Sequence, residues 1–487
     1  MEFSSEHFKS NVQTAIQDEV LKGAMGKLTG SLGPNRTKAV GKVPEFDAIR
    51  DHGIAIKMHT LDHIDQYLEE FEQNVVANGG HVHWCADEDS ARQTILDICR
   101  QQNVKTVTKG KSMVTEELGL NNFLDQHGIL PLETDLGEYI IQLRGESPSH
   151  IIAPASHLLQ EQVRETFFDA HDHLDPNRPM DTPEALTEEA RKELREKYGA
   201  ADAGITGANF MIAETGSTII VTNEGNGDLT QTLAKTHIVV ASMEKIIPTM
   251  DDAGVMLRLL ARSATGQDMS VYTTLSSGPR RADDLDGPES FHVVIVDNGR
   301  SEMLRGSERE MLRCIRCSAC LNHCPVYASI GGHAYGWVYS GPMGKVLTPS
   351  LAGLEQAKDL PNASSFCGKC EEVCPMRIPL PKLMRNLREK QHDQKISSPQ
   401  QRMLLNLWSG LASRPRLYRW VTSKMTSILA RIAGKKRVLG WVPMLGGWTE
   451  TRDLIAPEGG SFFDRYHANK EMANKVGAKK TKDAAND

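Results

Sequence analysis

The chain has no apolar run approaching the roughly 20 residues that a membrane-spanning helix needs, which excludes an integral helical membrane protein. It has no dinucleotide-binding glycine fingerprint and no clear flavin site, so a hydride step on a substrate would need another group. Met1 to Thr29 carries Glu2, Glu6, Asp18 and Glu19 and no continuous apolar core, so secretory export is not expected. Cytoplasmic, reduced thiols are the expectation. A net charge of -7 over 487 residues gives no reason to expect nucleic acid as a partner. Cysteine is scarce for most of the chain: before residue 314 there are only Cys85 and Cys99, read as buried small hydrophobes.

The other seven cysteines lie together, as Cys314-x2-Cys317-x2-Cys320-x3-Cys324-Pro325 and Cys367-x2-Cys370-x3-Cys374-Pro375. In such runs three thiolates wrap one iron–sulfur cluster, while the cysteine before the proline ligates the neighbouring cluster. Cys314, Cys317, Cys320 and Cys374 would then hold cluster one, and Cys324, Cys367 and Cys370 cluster two. Stepping back three residues from Cys367 reaches Ser364, so the second set lacks a fourth cysteine. Two [4Fe-4S] clusters are the leading expectation. For the second, a [4Fe-4S] cluster with a serine, water or other ligand, a [3Fe-4S] cluster, and an iron left open for a partner all stand. Zinc would need only four of these thiolates and would not ask for the x2, x2, x3 spacing or the trailing prolines.

A chain of this length suggests two or three domains. Residues 1–59 read as an N-terminal helical extension. Residues 60–298 alternate helix and strand patterns, the mark of an α/β domain with a largely parallel sheet. Thr60 is placed to cap a helix with Leu61, Ile64, Leu68, Phe71 and Val75 on one face. Strands are expected at His81–Cys85 with Val82 and Trp84 inward, at Val104–Thr108, Glu138–Leu143, His150–Ala153, Phe210–Ala213, Thr218–Thr222, His237–Ala241 and His292–Val296. Residues 169–208 read as a polar, solvated insertion. Residues 299–398 read as an α-helical ferredoxin domain, with Ser307 and Glu310 as a capping box and a helix from Pro381 carrying Leu383, Met384 and Leu387. Residues 399–470 form a basic, tryptophan-rich C-terminal domain, and 471–487 a disordered tail. From Gln401 to Thr449 there is no acidic residue, while Trp408, Trp420, Trp441 and Trp448 are interleaved with arginine and lysine. A helical pair packed on its own domain is favoured there, with peripheral contact to the inner face of an anionic membrane as the alternative.

Other candidates carry weaker signals. Glu214, beside Thr215-Gly216-Ser217, could be a carboxylate nucleophile, but an ordinary hairpin turn is favoured. Lys109-Gly110-Lys111-Ser112 follows a strand, where α/β folds bind anions; it lacks the two-glycine spacing of a phosphate loop, so the nucleotide signal is weak and a small carboxylate suits it equally well. His81 and His83 read as a surface pair. His323 could donate a hydrogen bond that tunes a cluster, and His333 could approach cluster two.

The segments Val82-His83-Trp84, Lys109 to Met113, Glu133 to Glu138, Ala213 to Ser217, Ser277-Gly278-Pro279-Arg280, both cysteine motifs and the Gly331 to Gly344 loop resemble the lactate utilization iron–sulfur protein B family, over roughly residues 40–450. The resemblance implies a lactate-utilization α/β domain of sugar-isomerase or CoA-transferase-like topology, an α-helical two-cluster ferredoxin and a helical C-terminal domain. It also implies the crossed ligand set above, with serine usual at the position of Ser364. Two partners are implied, a second iron–sulfur protein and a smaller protein sharing the α/β domain. The expected role is electron transfer in a complex that oxidises L-lactate to pyruvate, with no turnover by this chain alone. The alternative is an α/β-domain enzyme of acyl-transfer or isomerase type whose clusters are structural or regulatory.

Overall fold

A computed structural model describes residues 3–110, 112–442, 449 and 452–483; Lys111, Trp448 and residues 484–487 lie outside the described residues. The chain forms two compact units, Met1–Ile396 and Ser397–Asp487.

In the first unit the strands are β1 (His81–Cys85), β2 (Thr106–Lys109), β3 (Leu130–Glu133), β4 (Ala203–Gly207), β5 (Phe210–Ile212), β6 (Ser217–Thr222), β7 (Thr236–Ser242), β8 (Ile246–Ile247), β9 (Tyr272–Ser276) and β10 (Ser290–Val296). Six of them make a parallel sheet in the order β1-β10-β7-β4-β2-β3. Two of its inner strands, β7 and β10, are rich in β-branched residues (Ile238–Val240 and Val293–Val296) because both faces are covered. Val239, Ala241, Val293 and Ile295 point into one apolar core with the N-terminal helices, and Ile238, Val240, Val294 and Val296 into another with the helix Glu88–Gln101. A smaller sheet, β8-β5-β6-β9, contains the antiparallel β5–β6 pair.

Several expectations are corrected. Thr60 is inside the helix Phe46–Asp62, where its buried hydroxyl donates to the Ile56 carbonyl one turn back at 2.7 Å; the next helix starts at Ile64. Trp84 is exposed, because β1 is an edge strand, and its Nε1 donates to Glu72. Glu138–Leu143 lies in a helix, Leu136–Leu143, whose N-terminus Asp135 caps by accepting from Gly137 N and Glu138 N. His150–Ala153 is a loop: His150 Nδ1 accepts the N–H groups of Ile152 and Ala153, both at 3.2 Å, which a strand ladder would need. The insertion is not simply solvated, since Phe167, Met180, Leu186 and Leu194 share an apolar cluster with Tyr139, and 203–207 is β4, within the main sheet. Ser307 and Glu310 make no capping box; the Ser307 hydroxyl donates to Glu308, which also receives Lys390.

The cysteine region is built of short helices, Ala319–Asn322, Pro325–Ile330, Gly341–Leu351 and Lys369–Glu372, followed by Leu380–Asp393 with Leu383, Met384 and Leu387 buried. It interlocks with the loop after the helix Leu136–Leu143. A Cβ on Gly332 would lie 1.7 Å from the Ser149 carbonyl oxygen, so only glycine fits there. That same oxygen accepts from Tyr327 at 2.8 Å, and His150 Nε2 donates to Asn322 Oδ1 at 2.9 Å. Two N-terminal helices brace the second cysteine loop: Arg36 donates to Val373 O and Arg50 to Cys374 O, both at 2.6 Å.

The second unit contains the helices Pro399–Ala412 and Pro415–Ala433, a two-stranded ribbon and a helix Phe462–Asp483, so the tail expected to be disordered is helical as far as Asp483. The helical pair forms, but it buries little: Leu404, Leu405, Leu407, Trp408, Trp420 and Ile428 are exposed within the unit. Among the described residues no helix is long and apolar enough to cross a membrane.

Candidate iron–sulfur centres and an adjoining cavity

The seven cysteines fall into two groups in space. Cys314, Cys317, Cys320 and Cys374 line one cavity, whose other walls are mainly apolar: Ile151, Ile315, Met343, Met376, Ile378 and Leu380. Cys324, Cys367 and Cys370 line a second, together with Ser364, Ser365 and Lys345.

The two loops repeat one backbone pattern. The residues flanking Cys317 are left-handed, Arg316 at φ 58° and Ser318 at φ 61°, and so are those flanking Cys367, Phe366 at φ 54° and Gly368 at φ 79°. Left-handed residues turn successive N–H groups toward one concavity, an arrangement common at anionic clusters. Accordingly the backbone N–H of Ala319 favours the ionised form of Cys317, and that of Lys369 the ionised form of Cys367. In this alignment Ser364 stands where Cys314 stands in the first loop. Its hydroxyl accepts the Phe366 N–H at 3.1 Å.

The surroundings differ. Burial pushes the thiols of Cys317 and Cys320 upward, and that of Cys374 to about 11, whereas Cys367 is exposed and its thiol is lowered by the Lys369 N–H. Ionising several buried thiols that converge on one hollow is costly, and a bound metal relieves this by taking the place of their protons. Among the described residues, no three Cys, His, Asp or Glu side chains are grouped to hold a single metal ion. Soft sulfur donors spread around an apolar hollow suit an iron–sulfur cluster instead.

Behind the first cysteine loop lies a buried charge network. Arg300 pairs with both oxygens of Glu117, at 2.9 and 2.6 Å, and with Glu244 at 2.9 Å; Arg316 reaches Glu244 at 3.1 Å. Tyr339 donates to Glu117 at 2.5 Å. Burial would raise the Glu244 carboxyl, but Arg300 and Arg316 hold it down to about 2. Lys57 donates to the Glu244 and Ile246 carbonyls.

This network borders a cavity of about 230 Å³ at the carboxyl ends of the parallel strands. Ser112 and Met113 follow β2, Asp135 follows β3, Gly207 ends β4, and Lys245 follows β7. Ligands favour this end of an α/β sheet. Among the described residues the cations on its wall are Lys245 and Arg316, neither of which the sequence pattern had singled out; a lysine just past a buried β-strand was the available signal.

The remaining candidates resolve as follows. Lys109 is buried and paired with Glu116 at 2.5 Å and Glu133 at 2.7 Å, so its charge is already satisfied, while Ser112 does line the cavity. Glu214 is exposed and caps the helix Met250–Ala264 by accepting Met250 N, on a turn docked against the helix Ile64–Ala77. It lines none of these three cavities. His323 lines the second cysteine cavity, but its Nδ1–H goes to the Ala319 carbonyl, and burial favours the neutral ring, which leaves Nε2 no proton to donate. His333 is turned away and donates to Ser147 O. His81 stacks on His292, and His83 bonds it at 3.1 Å. Cys85 and Cys99 are buried in the second core.

Comparison with known proteins agrees with this layout. The LUD domain family matches residues 68–296, a 4Fe-4S dicluster domain matches 310–378, and the family "Lactate utilisation protein B, C-terminal" matches 383–471. The dicluster match implies two iron–sulfur clusters. Lactate utilization protein B from Bacillus thuringiensis (strain Al Hakam), Bacillus cereus (strain AH187) and Bacillus anthracis (strain A0248) is in each case 41% identical over 476 residues, covering 98% of this chain and all of the relative. A crystal structure of a DUF162 family protein from Deinococcus radiodurans covers 48% of this chain and 98% of its own, at 14% identity and a TM-score of 0.27.

Proposed function

The chain belongs to the lactate utilization protein B family, and on that premise we propose that it is the iron–sulfur electron-transfer subunit of a complex oxidising L-lactate to pyruvate. The observation that carries this reading is the division of seven cysteines, four and three, around two separate cavities. Cys314, Cys317, Cys320 and Cys374 would hold one cluster, and Cys324, Cys367 and Cys370 the other, with Ser364 in the vacant register. Such clusters supply one-electron exchange. The protein sets their environment: buried Arg36, Arg313 and Arg316 surround the first cysteine set, and Lys345 faces the second.

The exposed Cys367 puts the second site nearer the surface, where a partner could receive or supply electrons. The partners proposed are a second iron–sulfur protein and a smaller protein sharing the LUD domain. For the C-terminal unit, exposed Trp408 and Trp420, in a stretch from Gln401 to Thr449 that holds basic residues and no acidic one, suit peripheral contact with an anionic membrane at its inner face. Co-sedimentation with anionic but not neutral vesicles would read that contact.

The test is anaerobic purification, alone and with co-expressed partners, with iron, sulfide and EPR measurements. About eight irons per chain are expected. Adding L-lactate to the complex should give the signal of reduced clusters; if the clusters stay oxidised, the lactate assignment fails.

A further inference from the structure

We propose that the cavity at the carboxyl ends of β2, β3, β4 and β7 is a binding site for a small 2-hydroxy or 2-oxo monocarboxylate, with Lys245 and Arg316 as its anion partners. The identity of the acid rests on the lactate reading; the location of an anion site does not.

Three observations converge on it. The first is an unanswered cation. Lys245 is only 7% exposed, lines this cavity and not the cysteine cavities, and donates no hydrogen bond to any described residue. A buried ammonium without acceptors is costly unless an anion arrives. Lys57, by contrast, is satisfied by two backbone carbonyls.

The second is the local charge balance. Four buried cations, Lys57, Lys245, Arg300 and Arg316, face two buried carboxylates, Glu117 and Glu244. The first cysteine set offsets part of that excess, since Lys57, Lys245 and Arg316 all feel Cys314. Lys245 still opens onto the larger cavity, where an anion can complete its coordination. The carboxylates on that wall do not compete for it: Asp135 caps a helix, and Glu224 stands exposed at the rim. Asn226, 8% exposed and also without a side-chain hydrogen bond to a described residue, adds a neutral group able to meet a hydroxyl or carbonyl.

The third is position. Ile151 and Arg316 line both this cavity and the one ringed by Cys314, Cys317, Cys320 and Cys374. An acid held here would therefore be separated from the first cysteine set by these two side chains. That placement suits an electron donor or its oxidised product.

The test uses the cluster-loaded full-length chain under anaerobic conditions, with calorimetric titration of L-lactate, pyruvate, acetate and inorganic phosphate. EPR of the reduced protein is recorded with and without each. Saturable binding of lactate or pyruvate, stronger than acetate, is expected, with a change in the signal of the first cluster. Lys245→Met should weaken it about ten- to a hundredfold, the usual worth of a charge-assisted hydrogen bond. Asn226→Ala should weaken it less, and both variants should keep the parent's iron content. Binding of either acid that both variants leave intact would overturn this site while sparing the lactate reading. Preference for phosphate, or no binding of any probe, would overturn the proposal, and reduction by lactate in the complex would then decide the function separately.

Discussion

Lys345 holds its ammonium 3.7 Å from the sulfur of Cys324, buried beside the second cysteine cavity and over the ring of Tyr335. A fixed cation next to a thiolate stabilises the more negative, reduced state of whatever that thiolate ligates. Lys345→Met should therefore make the potential of the second cluster more negative, on the order of 60 mV for one decade in a one-electron equilibrium. The first cluster should be unmoved. An EPR-monitored redox titration reads both, and equal shifts in the two would show that the effect is not local.

The crossed ligand set makes a prediction that adjacency in sequence does not. Cys374→Ser should remove the cluster held by Cys314, Cys317 and Cys320, and Cys324→Ser the one held by Cys367 and Cys370. In each case iron should fall from about eight to about four per chain. Loss of the same cluster in both variants would refute the crossing.

Arg300 is fully buried and spans Glu117 and Glu244. Arg300→Met leaves two carboxylates short of a partner and should cost about 3–5 kcal/mol, the usual penalty for breaking a buried ion pair. Arg305→Met, which removes only an exposed pair with Glu302, serves as the control and should leave the denaturation midpoint unchanged. A similar midpoint for both variants would contradict the structural weight given to the network.

Burial, with the neighbouring His292, holds His237 down to about 3, and the ring bonds Thr206 at 2.8 Å. The unfolded chain protonates this residue near pH 6.5. Its contribution to stability is therefore whole above about pH 6.5 and is lost progressively as the pH falls toward about 3. His237→Gln should flatten the change in denaturation midpoint between about pH 7.5 and 5.5. An unchanged slope would place the acid sensitivity elsewhere.

The cysteine runs were legible because cluster ligation constrains spacing directly, and β7 and β10 because strands covered on both faces carry short continuous β-branched runs, Ile238–Val240 and Val293–Val296. Leu136–Leu143 was not legible: Tyr139, Ile140 and Ile141 are all buried, so the apolar run masks the helical period. Trp84 misled for the opposite reason, since alternation cannot tell an edge strand from an inner one. Lys245 and Arg316 are joined only by the docking of the cysteine loop on the sheet, and Arg36 and Arg50 reach that region from helices far earlier in the chain. Nothing local marks such long-range pairs.

The close seat of Gly332 on Ser149 bears on rate as much as on stability. Electron tunnelling falls steeply with separation, so carriers on swinging domains must wait for a productive encounter. Here the loop from the LUD domain is locked to the cysteine region by contacts that leave no room for even a methyl group. The gap between the carboxylate cavity and the first cysteine set is consequently fixed when the chain folds. On the proposed reading, control of electron transfer between these two sites falls to ligand occupancy and driving force.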